Sequence, residues 1–201
     1  RRYSPHAAPA GRPSVRNLCL NYLAELGDSK LAYQQFARAD NMTDSMAALS
    51  TLANLDCPER EPALAAFYER WKDEPLVVDK WLGVQAGSRL PATLETVKRL
   101  LAHPAFDLKV PNKVYALIRT FAANHVRFHA ADGRGYAFLA DQVIALNSLN
   151  PQVAARMARA FDRWRRFDEH RSSLAKAQLE RIRDTDKLSK DVAEIVGKAL
   201  A

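Results

Sequence analysis

His125 and His129 stand one helical turn apart and have the spacing of a metal-ligand pair. On a helix the i, i+4 separation puts both imidazoles on one face, the geometry that the zinc signature His-Glu-x-x-His requires. Here the second position is Val126, so the carboxylate that acts as general base in that signature is missing. No downstream glutamate stands out as a third ligand. The pair reads as surface or helix-end histidines. Gly133-Arg134-Gly135 could suggest a phosphate-cradling loop, but no strand precedes it and the third glycine is lacking, so it reads as a tight turn ordered by Asp132. No serine lies in a Gly-x-Ser-x-Gly setting, and neither Cys19 nor Cys57 has a histidine and an acid close by in sequence. No catalytic residue and no metal ligand is assigned to the chain.

A different chemistry lies further along. Gln152, Arg156, Arg159 and Arg163 recur at i, i+4, i+7 and i+11, a polar line beside the apolar line of Val153, Met157, Phe161 and Trp164. Such a line is either a binding surface or a solvated arginine face with Asp162 and Asp168 as partners. For Arg159 and Arg163 the solvated face is the better reading.

The elements that must carry these residues are helices. Val15, Leu18, Cys19, Tyr22 and Leu26 follow helical spacing, as do Leu64, Phe67, Tyr68 and Trp71, and Val114, Leu117, Ile118 and Phe121; each set reads as a core face. Prolines 13, 62, 75, 91, 111 and 151 stand at or near the starts of such stripes, where a missing N–H costs nothing. Asn150 can cap the helix that Pro151 opens, and Asn41 with Asp44 forms a capping-box-like start. No period-2 strand or hairpin is evident. About ten or more short amphipathic helices, stacked in antiparallel pairs to hide their apolar faces, predict an all-α fold, an irregular α-α superhelix without exact repeats. Residues 1–10 read as a linker from a preceding domain and residues 11–201 as a single domain.

The composition is that of a globular protein, with 48% hydrophobic and 26% charged residues, enough apolar material for a sizeable core. No apolar run approaches the roughly twenty residues of a membrane span. The first residue is Arg1, which suggests a segment of a longer polypeptide. Two cysteines are too few for a disulfide framework; they read as small buried hydrophobes and fit a reducing cytoplasm. The net charge of +7 resides mostly in the second hundred residues, but the basic side chains there are interspersed with acids and no nucleic-acid motif is present, which argues against that class of partner.

Ordered blocks run through the chain: Arg16-Asn17-Leu18-Cys19-Leu20, Asn41-Met42-Thr43-Asp44, Leu76-Val77-Val78-Asp79-Lys80-Trp81, Gln85-Ala86 and His103-Pro104-Ala105-Phe106. Phe128 to Tyr136, Phe138 to Asp141, Asn150 to Arg156 and Val196 to Ala201 follow. Together they resemble the C-terminal helical domain of bacterial aminopeptidase N, a family of zinc aminopeptidases. The resemblance implies that zinc and the catalytic groups lie in an earlier domain of the same polypeptide, and that this segment packs over that domain and closes a water-filled chamber. It implies no cofactor of the segment's own, and makes peptides and the catalytic domain its partners. In the family, residues matching Gln152 and Arg156 face the chamber, where a guanidinium can hold the carboxylate or main-chain carbonyls of a peptide. One block departs: Tyr115 stands where relatives of the resembled family carry a basic residue, so a second cation at that position is lost. The alternative is a free-standing helical-repeat scaffold that binds another protein.

Overall fold

The computed structural model describes residues 7–201, with side chains from Ser14 onward, and every described element is helical. Residues up to Val84 and residues from Gln85 onward form two compact units. The expected linker, residues 1–10, lies partly outside the described residues; Ala7 to Ala10 already belong to the first helix.

In the first unit, α1 (Ala7–Glu25), α2 (Ser29–Arg38), α3 (Met42–Ala53), α4 (Arg60–Trp71) and all but the last two residues of α5 (Pro75–Ala86) follow one another through short turns. Their starts are chemically marked. The Asp28 carboxylate accepts from the Leu31 N–H at 3.1 Å, and the Asn41 side chain accepts from the Asp44 N–H at 2.9 Å, each satisfying a donor that a helix start leaves open. α3 packs against α1, α2 and α4 and buries Ala48, Leu49, Leu52 and Ala53. The Trp81 ring is buried, and its indole N–H donates to the Leu64 carbonyl at 2.9 Å.

One polar knot joins α1 to α3. Arg16 pairs with Asp44, the Asn17 amide donates to the same carboxylate at 3.1 Å, and the Asn41 amide donates to its other oxygen at 2.8 Å. Burial alone would raise the Asp44 carboxyl, but the hydrogen bonds from Arg16, Asn41 and Asn17 outweigh it and hold the group below its ordinary value. Two of the ordered sequence blocks thus meet in a structural contact.

The stripe on α1 is not a core face. Leu20 and Ala24 are buried, whereas Val15, Leu18, Tyr22 and Leu26 are 57–85% exposed and Cys19 is exposed, so the reading of Cys19 as a buried hydrophobe is also corrected. The cause is geometric: α1 meets α2 and α3 through the Leu20 and Ala24 side, and no described residue covers the wider apolar side.

The second unit runs through α6 (Thr93–Leu101), α7 (Pro111–Val114), a π-helical turn (Tyr115–Arg119), α8 (Thr120–Ala123), α9 (His125–Phe128), α10 (Arg134–Leu149), α11 (Pro151–Ala158), α12 (Glu169–Arg183) and α13 (Lys190–Leu200), with short 3-10 turns at Arg159–Phe161 and Trp164–Arg166. α7, the π turn and α8 are continuous, and their Val114, Leu117, Ile118 and Phe121 are fully buried as the spacing predicts. α10 packs on α11 and α12, and α13 closes against α11 and α12. Asn150 caps α11 by accepting from the Val153 N–H at 3.2 Å, with Pro151 next in line. The buried Asn147 amide fixes the turn before α13. It donates to the Lys187 carbonyl and accepts from the Ser189 N–H, holding Lys187 at a φ of 56°.

Candidate functional site

The line of polar residues on α11 comes to rest over an open pocket of about 550 Å³, lined by Arg119, Ala122, Ala123, Arg156, Met157, Arg159 and Ala160. Two continuous helical segments build it, the π turn with α8 and α11 with the 3-10 turn that follows it. Val153, Met157 and Phe161 are buried, which turns the next face of α11, with Gln152 and Arg156, outward. α8 supplies Ala122 and Ala123, and the small side chains there and at Ala160 leave the space above them free.

Tyr115 connects the two walls. Arg156 Nη1 donates to the Tyr115 hydroxyl at 3.0 Å, and the guanidinium carbon of Arg119 lies 5.9 Å from the centre of the Tyr115 ring. Tyr115 and Arg119 stand four residues apart and share one face of this segment, which includes a π turn whose Thr120 N–H reaches back to the Tyr115 carbonyl. Arg159 is different, because its Nε lies 3.3 Å from the Asp162 carboxylate. Among the described residues no acidic side chain pairs with Arg119 or Arg156.

The structure therefore brings Arg156 into the pocket, while Gln152, one turn earlier and exposed, is not among its lining residues. Sequence reasoning missed Arg119. Its signal was available: a lone arginine four residues after Tyr115 on a helix whose other side is wholly apolar.

The histidine pair serves a different structure. His125 and His129 stack at 5.6 Å between ring centres, and His129 also lies against the Phe167 ring at 3.9 Å. His129 Nδ1 is 2.9 Å from the Tyr136 hydroxyl, and the Arg171 side chain donates to the His129 carbonyl at 2.7 Å. Burial, with the neighbouring His125 and Arg171 adding positive charge, holds the His129 imidazole at about 4 against an ordinary 6.5. Among the described residues no group of three His, Cys, Asp or Glu side chains is placed to hold a metal ion.

The two glycines next to this cluster are steric. Gly133 sits at φ 69°, and a Cβ there would also meet Leu174 at 2.9 Å. A Cβ on Gly135 would lie 2.4 Å from the Phe128 carbonyl oxygen. Asp132 accepts from the Arg134 N–H at 3.1 Å, so the segment is an ordered turn between α9 and α10, as its sequence suggests.

An all-helical domain of this build agrees with the family whose model matches residues 1–201, described as "Domain of unknown function (DUF3458_C) ARM repeats". The chain belongs to that ARM-repeat family. It is similar to "Aminopeptidase N" of Caulobacter vibrioides, 42% identical over 98% of this chain and 23% of the relative. The protein of the same description from Escherichia coli is 41% identical over 94% of this chain and 22% of the relative. Among solved structures, that of Legionella pneumophila aminopeptidase A in complex with aspartic acid matches with a TM-score of 0.91 at 34% identity, over 96% of this chain and 23% of that one. The chain thus spans less than a quarter of the length of these relatives. Among the described residues no helix is long and apolar enough to cross a membrane.

Proposed function

We propose that residues 11–201 act as one chamber-closing, peptide-access domain of a zinc-dependent aminopeptidase that removes N-terminal residues from peptides. Bond cleavage belongs to the catalytic part of the same polypeptide, where zinc is held, and this segment contributes no catalytic group. Gln152 and Arg156 contact the peptide beyond the cleaved bond. The observation that carries the reading is the Arg156 guanidinium, exposed at the rim of a pocket and paired with a phenol instead of a carboxylate. It is free to make charge-assisted hydrogen bonds to a peptide's carbonyls or carboxylate. Remote contacts of this kind raise the rate by fixing the substrate's position.

Two further observations support it. The matching segment makes up less than a quarter of relatives described as aminopeptidases, which favours a domain role over a free-standing scaffold. α1 also displays Val15, Leu18, Tyr22 and Leu26 to the outside, and the partner that covers them in this reading is the rest of the same polypeptide. Cytoplasmic placement and the lack of a nucleic-acid partner complete the proposal; Cys19 and Cys57, both free thiols, fit a reducing compartment.

The test is substrate length. In the complete enzyme, Arg156→Ala lowers kcat/KM for tetrapeptides by about tenfold, the size of one lost charged hydrogen bond, and leaves aminoacyl chromogenic substrates nearly unchanged. Equal losses on both substrate classes would assign Arg156 a structural role.

A further inference from the structure

We infer that Arg119 supplies, beside Arg156, a second cationic contact for the C-terminal carboxylate of a bound peptide. This rests on the peptide-binding reading of Arg156 and names the group that works beside it. The two guanidiniums flank one phenol: Arg156 donates to the Tyr115 hydroxyl at 3.0 Å, and Arg119 lies 5.9 Å from the Tyr115 ring centre. Both line the same pocket. Arg159, which also lines it, already has Asp162 as a counter-ion, but Arg119 and Arg156 have no acidic partner among the described residues.

Two unpaired cations on one rim repel each other, and a carboxylate placed between them relieves that repulsion while accepting from both. Arginine suits the task because its planar donor fork can engage both oxygens of a carboxylate. The alanine floor of Ala122, Ala123 and Ala160 gives a main chain room to approach without a side chain in its way. Tyr115 and Arg119 stand four residues apart on one face of the continuous helical segment, which keeps the two side chains beside each other. Tyr115 then acts as a positioning residue, holding Arg156 by a hydrogen bond and offering its ring face to Arg119.

The experiment uses the complete enzyme and three substrates of equal length: a neutral tetrapeptide acid, its C-terminal amide, and an amide with a glutamate as its last residue. Arg119→Ala is expected to raise KM for the free acid about 5–10-fold, the effect of one lost charge-assisted contact, with kcat and the neutral amide little changed. Arg119→Lys retains part of the preference, and adding Tyr115→Arg to Arg119→Ala restores it, a rescue that a folding defect would not show. Equal effects on acid and amide overturn the inference, as does a preference that follows the glutamate side chain rather than the terminus. If Arg156→Ala weakens the free acid and Arg119→Ala does not, the second contact is refuted while the peptide reading stands. If neither variant changes any peptide, both are refuted.

Discussion

His129 shows how a residue with catalytic chemistry can be spent on structure. Its ring is packed between His125 and Phe167, and its Nδ1 faces the Tyr136 hydroxyl. The unfolded chain takes up a proton on this side chain near 6.5, the folded chain only near 4. Between those values the unfolded state binds more protons, so stability falls as pH drops through that window. The urea midpoint is therefore expected to decrease from pH 7 to pH 5, and to decrease less in His129→Gln; identical pH dependence in both would contradict the placement. The residue types at 125 and 129 and their one-turn spacing were legible in sequence. Their partners were not, because Phe167 and Arg171 reach them from positions about forty residues away. Arg119 escaped for a similar reason: its meaning depends on Arg156, and spacing along a chain says nothing of proximity between helices.

Among elements, those with marked ends were the most readable. Asn41 and Asn150 cap as their sequences suggest, and the Val114 to Phe121 stripe is buried throughout. The π turn left no trace in that stripe, since a shift of backbone hydrogen bonds by one residue is not a change of side-chain pattern. α1 misleads in the opposite direction: amphipathic spacing identifies an apolar face but not what covers it. That exposure has a chemical consequence. In the chain by itself Cys19 reacts with a thiol reagent, whereas in the complete polypeptide the covered stripe is expected to protect it; peptide mapping by mass spectrometry would show equal labelling if the face stays open. α13 is held at its end by the 164–165 pair. The Trp164 indole N–H and an Arg165 N–H both donate to the Ala199 carbonyl, at 2.9 and 2.8 Å, and Arg165 also reaches the Leu200 carbonyl at 2.7 Å. These contacts satisfy carbonyls that a helix end leaves open. Trp164→Ala removes a buried ring as well as a donor and is expected to cost about 3–5 kcal/mol, measurable by denaturant unfolding; a loss below about 1 kcal/mol would contradict the packing described.

At the scale of the molecule, the helices bury their apolar faces against each other within each unit and leave two kinds of surface unfinished. One is the apolar side of α1; the other is the arginine rim of the pocket between α8 and α11. Both make sense in a segment that completes a larger enzyme, the first as a seat for neighbouring polypeptide and the second as a contact for substrate. The all-helical class followed from periodicity and the absence of strand patterns, whereas the proposed role came from the resemblance carried by ordered blocks such as Asn150 to Arg156. The most direct test assays the purified 201-residue chain and the complete polypeptide side by side on an aminoacyl arylamide, with and without a zinc chelator. The account predicts chelator-sensitive release of arylamine by the complete polypeptide and none by the chain alone; chelator-sensitive turnover by the chain alone would contradict it.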